Sequence, residues 1–330
     1  MRPSRLIPCV LLAAPLAAGA APWRDPSPHT VRYVTVGDGV RLEVLDWGGT
    51  GRSVVLLAGG GNTAHVFDDF APKLSAHYRV YGITRRGFGG SAFAESPDPL
   101  EGLRDDVLSA LDVLGVDGPV LAGHSVAGAE MSAIARSQPQ RIAGLVYLDA
   151  AYPYAFDDGT GPTMAEFMAV EGPGQPTPAA ADLRSFAALR DWLARVDGYR
   201  TPEAELRQTW EADGEAPTGR RRSSPGSQAF SSILADGRRD AGRVRALAIF
   251  ALPHASERSI RKGADRAMRD RRRAYFTKID ALTERQARAF EAGVPTAHVV
   301  RIPGPHHIFL SNAEDVRRAM RAFIDGSQVR

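Results

Sequence analysis

The 330-residue chain has a single cysteine, Cys9, which excludes an internal disulfide. It also has little net charge. The 41 Lys and Arg residues exceed the 38 Asp and Glu residues by only three, so no strong field exists to attract nucleic acid or an acidic membrane. The apolar run from Leu6 to Ala18 is short and broken by Pro8 and Pro15, which argues against a transmembrane helix, and nothing later reaches spanning length. No internal repeat is present. What the chain does have is 44% hydrophobic and 24% charged residues, enough for a large core and for one domain carrying an insertion.

Arg2 and Arg5 precede the apolar run, and Ala18-Gly19-Ala20 follows it as a small-residue cleavage pattern. Residues 1–20 therefore read as a signal peptide, which predicts an exported protein, periplasmic or secreted. Cys9 would leave with that peptide.

Beyond it, Val31–Val36 and Val40–Trp47 alternate apolar and polar residues around Gly37-Asp38-Gly39, which predicts an antiparallel hairpin at a sheet edge. Continuous apolar runs at Val54–Ala58, Arg79–Ile83, Pro119–Ala122, Ile142–Leu148, Ala246–Leu252 and Ala297–Ile302 suit strands covered on both faces. Helical patterns separate most of them, including Leu103, Val107, Leu111 and Leu114 on one stripe before Gly115. A last helix, N-capped by Asn312, carries Val316, Met320, Phe323 and Ile324 on its buried side. This alternation predicts an α/β fold: a mostly parallel sheet with helices on both faces.

The rhythm breaks between residues 152 and 243, where Pro and Gly are frequent and helical candidates are short (Leu183–Val196, Pro202–Glu211). We read this stretch as an inserted helical lid between two parts of a core, residues 21–151 and 244–330. The basic runs Arg220-Arg221-Arg222 and Arg271-Arg272-Arg273 read as solvated surface.

The chemistry concentrates at strand ends. Pro119-Val120-Leu121-Ala122 runs into Gly123-His124-Ser125-Val126-Ala127-Gly128 and then a helical stretch. A serine on so sharp a strand-to-helix turn needs small neighbours, and the new helix directs backbone N–H groups at any developing anion. With this turn the sequence resembles the α/β-hydrolase superfamily, although Ala127 replaces the second glycine of its G-x-S-x-G elbow. Leu57-Ala58-Gly59-Gly60-Gly61-Asn62 resembles the family's oxyanion loop, with Ala58 where a histidine is usual. Arg86-Gly87-Phe88-Gly89-Gly90-Ser91 resembles its R-G-x-G-x-S turn, with Thr84 where an aspartate is common.

The resemblance implies an eight-stranded sheet, Ser125 as nucleophile, and an oxyanion hole made by the backbone N–H groups of Val126 and Gly60. It places the base in the loop after the last strand. There His306 is followed four residues later by Leu310, as the family pattern requires, and His307 is the alternative. No aspartate ends the seventh strand. Asp149 ends the sixth, a position some members use for the acid, and Glu257 is the alternative. The implied activity is cleavage of a carboxylic ester or related acyl bond through an acyl-enzyme. Carbon–carbon hydrolysis, perhydrolysis, a lyase step or noncatalytic ligand binding would use the same framework. No cofactor is needed and no metal is expected: the side chains of adjacent histidines diverge, and no cysteine or H-E-x-x-H pattern accompanies them. Phe156, Met164, Phe167, Met168, Phe186, Leu189 and Trp192 in the lid suggest a small-molecule substrate with an apolar acyl or alcohol group, unless they form the lid's own core.

Overall fold

The structure, a computed structural model, describes residues 23–174, 176–235, 237–254 and 266–326. Ten strands are present among them: β1 (Thr30–Thr35), β2 (Arg41–Gly48), β3 (Ser53–Leu57), β4 (Arg79–Ile83), β5 (Val120–His124), β6 (Gly144–Leu148), β7 (Trp210–Asp213), β8 (Ala216–Arg221), β9 (Ala246–Ala251) and β10 (Ala297–Ile302). Eight form one sheet in the order β1-β2-β4-β3-β5-β6-β9-β10. The β1–β2 and β2–β4 pairs are antiparallel and the others parallel. The hairpin expected at the edge is thus there, and the sheet is mostly parallel.

Alternation along each strand sends neighbouring side chains to opposite faces. Val55 and Leu57 of β3 join a core with Leu121 and Tyr147, covered by helices Pro99–Leu114, Ala127–Ser137 and Arg266–Gly293. Val54 and Leu56 join the other core with Val120 and Val146, covered by helices Ala71–Ser75 and Ala313–Ile324. Two-sided burial is why the central strands read as unbroken apolar runs. Removing one such fully buried leucine, as in Leu56→Ala, would cost about 2–5 kcal/mol.

Two local expectations need correction. Asn312 stands at the N-cap of Ala313–Ile324, but its side chain makes no cap: Nδ2 donates to the Pro303 carbonyl (3.1 Å) and Oδ1 accepts from Ser311 (2.8 Å). It ties the helix start back to the loop after β10 instead. Between β6 and β9, the expected helices occur as Phe186–Asp197 and Glu203–Thr209, but the second stops early. Trp210 begins a β7–β8 hairpin, turned at Gly214 with φ +57°, a conformation glycine adopts without strain. Arg220 and Arg221 lie on this hairpin, where Arg220 pairs with Glu211 and Arg221 covers the Trp210 ring. The apolar residues of this region divide by role. Phe186, Leu189 and Trp192 form a separate small core with Leu206 and Trp210, Phe156 and Met164 join the main core, and Met168 is exposed.

Candidate active site

The carboxyl ends of β3, β5, β6, β9 and β10 open toward one side, and the candidate residues lie just beyond them. Ser125 follows β5 with φ +53° and Asp149 follows β6 with φ +48°; among the described residues no other non-glycine has positive φ. Each such conformation costs about 1–3 kcal/mol and persists only where packing enforces it. Here the packing is visible. A Cβ on Gly123 would stand 2.9 Å from Ala127 Cβ and Met131, and one on Gly128 only 2.0 Å from the Ala150 carbonyl oxygen. Ala127 therefore fits in place of the family's glycine, whereas Gly128 has no room to change.

Asp149 is fully buried and accepts from every side. Oδ1 takes the Ala251 backbone N–H (3.0 Å) and the Tyr152 hydroxyl (2.9 Å), and Oδ2 takes His306 Nδ1–H at 2.6 Å. Donation from Nδ1 leaves His306 Nε2 with a free lone pair, as a general base requires. The His306 side chain is 41% exposed and lines a cavity of about 660 Å³ together with Tyr152, Phe167, Tyr199, His254 and Phe276. Its loop is bound to the elbow through His124, whose Nε2–H donates to the His306 carbonyl (3.1 Å). Tyr154 reaches the Ser125 side chain.

His307 points elsewhere. Its ring stacks on Tyr199, with Nδ1 against the Tyr199 hydroxyl (2.9 Å) and Nε2 against Asn62 Oδ1 (3.4 Å). Burial, aided by the neighbouring His306, depresses it to about 3, so it stays neutral. Glu257 lies outside the described residues.

Gly59 and Gly60 follow β3. A Cβ on Gly59 would meet His124 Nδ1 at 2.7 Å and Ser125 Cβ at 3.0 Å, and one on Gly60 would lie 3.6 Å from Val126 Cγ1. The glycine loop thus packs directly against the elbow. Arg85, buried and paired with Glu130 (2.7 Å), donates to the carbonyls of Ala58 (2.9 Å) and Gly59 (3.4 Å) from behind. Because a peptide is planar and trans, fixing those carbonyls also fixes the direction of the N–H groups that follow them.

Several residues that sequence reasoning missed complete the arrangement. His254 sits after β9, where an acid was sought. Its Nδ1–H donates to Asp280 (2.9 Å), and its Nε2 lies 3.3 Å from the Tyr152 hydroxyl and 3.6 Å from Asp149 Oδ2. Burial opposes a charge there, but Asp149 and Asp280 prevail and raise His254 to about 9. Burial likewise works against ionised Asp149, yet His254 and His306 together hold its carboxyl below the usual range.

Glu205, from helix Glu203–Thr209, is fully buried and accepts from Asn62 Nδ2 (2.8 Å) and from the Thr63 backbone and hydroxyl. It ties the segment between β6 and β9 to the glycine loop. Burial raises its carboxyl from 4.5 to about 7, against those hydrogen bonds. A carboxyl raised in the folded state contributes stability that is complete below its unfolded pKa and lost as pH rises through the folded value. Glu205→Gln imitates the protonated form. The variant should gain stability relative to the parent between about pH 5 and pH 8, by up to roughly 3 kcal/mol. Paired thermal unfolding at both pH values checks this, and a constant difference would contradict it.

The model of the alpha/beta hydrolase family matches residues 54–319, more than half of the chain. This protein belongs to that family. Among its relatives, a bifunctional esterase/perhydrolase of Acinetobacter calcoaceticus is 32% identical over 126 residues, 37% of this chain and 45% of that protein. A 2-hydroxy-6-oxononadienedioate/2-hydroxy-6-oxononatrienedioate hydrolase of Cupriavidus pinatubonensis is 32% identical over 152 residues, 43% of this chain and 50% of that one. The aligned stretches span only 42%, 43% and 45% of the first three curated relatives. Over nearly the whole chain, the crystal structure of E-2-(acetamidomethylene)succinate hydrolase superposes with a TM-score of 0.60, covering 90% of this chain and 99% of that one. At 18% identity this likeness concerns the fold alone.

Proposed function

We propose that this alpha/beta hydrolase family member cleaves a carboxylic ester or related acyl bond, with Ser125 as nucleophile, His306 as base and Asp149 as the acid that orients it. The observation that carries this reading is the 2.6 Å contact between His306 Nδ1 and buried Asp149. It fixes the one imidazole tautomer that leaves Nε2 able to accept the serine proton.

In the proposed reaction, His306 takes the Ser125 proton as the hydroxyl oxygen attacks the acyl carbonyl. The N–H groups of Val126 and Gly60 hold the oxyanion, and His306 returns the proton to the departing alcohol. Water, deprotonated by the same imidazole, then attacks the acyl-enzyme, and His306 passes that proton to the Ser125 oxygen as the acid leaves. The imidazolium formed at each stage is stabilised by Asp149. The aromatic walls of the cavity favour an apolar acyl or alcohol group, and residues 152–243 are proposed as the lid that lines it.

A panel of p-nitrophenyl esters of increasing acyl length tests the reading. Turnover that depends on acyl length and disappears in Ser125→Ala supports it. Folded protein that hydrolyses none of them, or hydrolyses them equally well without Ser125, would refute it.

Export is the second part of the proposal. Residues 1–22 lie outside the described residues, and among those described no helix is long and apolar enough to cross a membrane. Mass spectrometry of protein from the native host's envelope or medium should find a mature N-terminus near Ala21; an intact Met1 on the functional protein would contradict export.

A further inference from the structure

Asp25, His29, His65 and Asp68, none of them assigned to the chemistry, meet in space from either side of the glycine loop in sequence. Two come from the segment before β1 and two from the turn Ala64–Phe67 and its end. One donor atom from each lies within 4.8 Å of the other three. His65 Nδ1 is 3.0 Å from Asp68 Oδ2 and 3.4 Å from Asp25 Oδ2, and His29 Nε2 is 3.6 Å from that same Asp25 oxygen. Four donors at about 2.0–2.1 Å from a tetrahedral ion stand about 3.3–3.5 Å apart, and three of the six donor pairs here lie at 3.0, 3.4 and 3.6 Å.

Burial and charge point the same way. The side chains of His29, His65 and Asp68 are 4%, 6% and 4% exposed, and only Asp25, at 24%, borders solvent. Two carboxylates and two imidazoles, the rings 5.1 Å apart between centroids, share this one small space. A single divalent cation matches the charge of the two carboxylates, and imidazole and carboxylate are both ligands of zinc-class ions. The surroundings also hold the ligands in place, as metal sites require. Ser27 donates its hydroxyl to Asp68 Oδ1 (2.9 Å) and its backbone N–H to Asp25 Oδ1 (2.9 Å), and Trp47 Nε1–H lies 3.4 Å from the Ser27 oxygen.

We infer that these four residues form a structural site for a zinc-class divalent ion, with two imidazoles and two carboxylates closing a tetrahedral shell. The ion fastens the segment before β1 to the turn that ends the glycine loop. This revises the expectation, drawn from the sequence, that no metal is bound. The pairs are separated by β1, β2 and β3, and neither Asp25/His29 nor His65/Asp68 carries a metal pattern alone.

The test uses the chain purified without a polyhistidine tag. Wild-type protein should retain one zinc through gel filtration, lose it with a drop in Tm on treatment with a strong chelator, and recover both on zinc addition. Cobalt substitution should give the visible absorption of a tetrahedral site. Asp25→Asn, at the least buried ligand, should weaken zinc binding by more than the roughly 10–100-fold that follows loss of a partner outside the ligand shell. His29→Gln should do the same. Wild-type protein that keeps no zinc and shows no zinc-dependent Tm, or zinc binding that both variants retain in full, overturns the inference. Should the variants not fold, the chelation and cobalt measurements on wild-type protein decide it.

Discussion

Ser125→Ala is expected to lower ester turnover by roughly four to six orders of magnitude while leaving the fold intact. Alanine occupies the same left-handed backbone well no better than serine, so the elbow should keep both its shape and its strain. Only the oxygen proposed to attack is lost. Ser125→Gly supplies an informative companion, because glycine adopts φ +53° freely: turnover should vanish in the same way, but Tm should rise. His306→Ala should approach the effect of Ser125→Ala, since the two act as one unit. His307→Ala should be much milder, as that ring is turned toward Tyr199 and Asn62 and held neutral by burial. Kinetics on one ester, with circular dichroism for folding, compares all four. Loss of turnover in folded His307→Ala, with most activity kept in His306→Ala, would exchange their roles.

Asp149→Asn is the second large effect, and about ten-thousandfold in turnover is expected, as for the comparable change in a serine protease. The cause is the direction of one hydrogen bond. Oδ2 now accepts from His306 Nδ1–H, whereas an amide nitrogen in its place would donate and force the proton onto Nε2. The imidazole then has no lone pair for the serine. His254→Gln separates support of the acid from chemistry. It removes a positive neighbour 3.6 Å from Asp149 but leaves the His306 contact in place, so turnover should fall by far less. Rates and thermal unfolding are measured together, because Asp149 also caps Ala251 and Tyr152. Full activity in folded Asp149→Asn would remove this residue from the mechanism.

The framework was legible because it follows from short-range rules. Two-sided burial made β3, β5, β6 and β9 into apolar runs, Ser125 stood on a sharp strand-to-helix turn, and the resemblance to the family pointed to Asp149 and His306 after later strands. What stayed hidden depends on distant segments meeting. Asp280 reaches His254 from a helix whose stripe reveals nothing about that contact, and Glu205 finds Asn62 and Thr63 only once the segment between β6 and β9 packs on the glycine loop. The β7–β8 hairpin was missed because Trp210 and Glu211 prolong a helical pattern; Asp213-Gly214 was the available signal. Asn312 was read as a cap by residue type, yet the Pro303 carbonyl competes successfully for its side chain.

The most direct test of the central claim is labelling with a fluorophosphonate, which reacts rapidly only with an activated serine. Intact-mass analysis and peptide mapping should find a single adduct on Ser125, with labelling abolished in Ser125→Ala and slowed by orders of magnitude in His306→Ala. A folded wild-type protein that takes up no label, or carries it on another residue, would contradict the account.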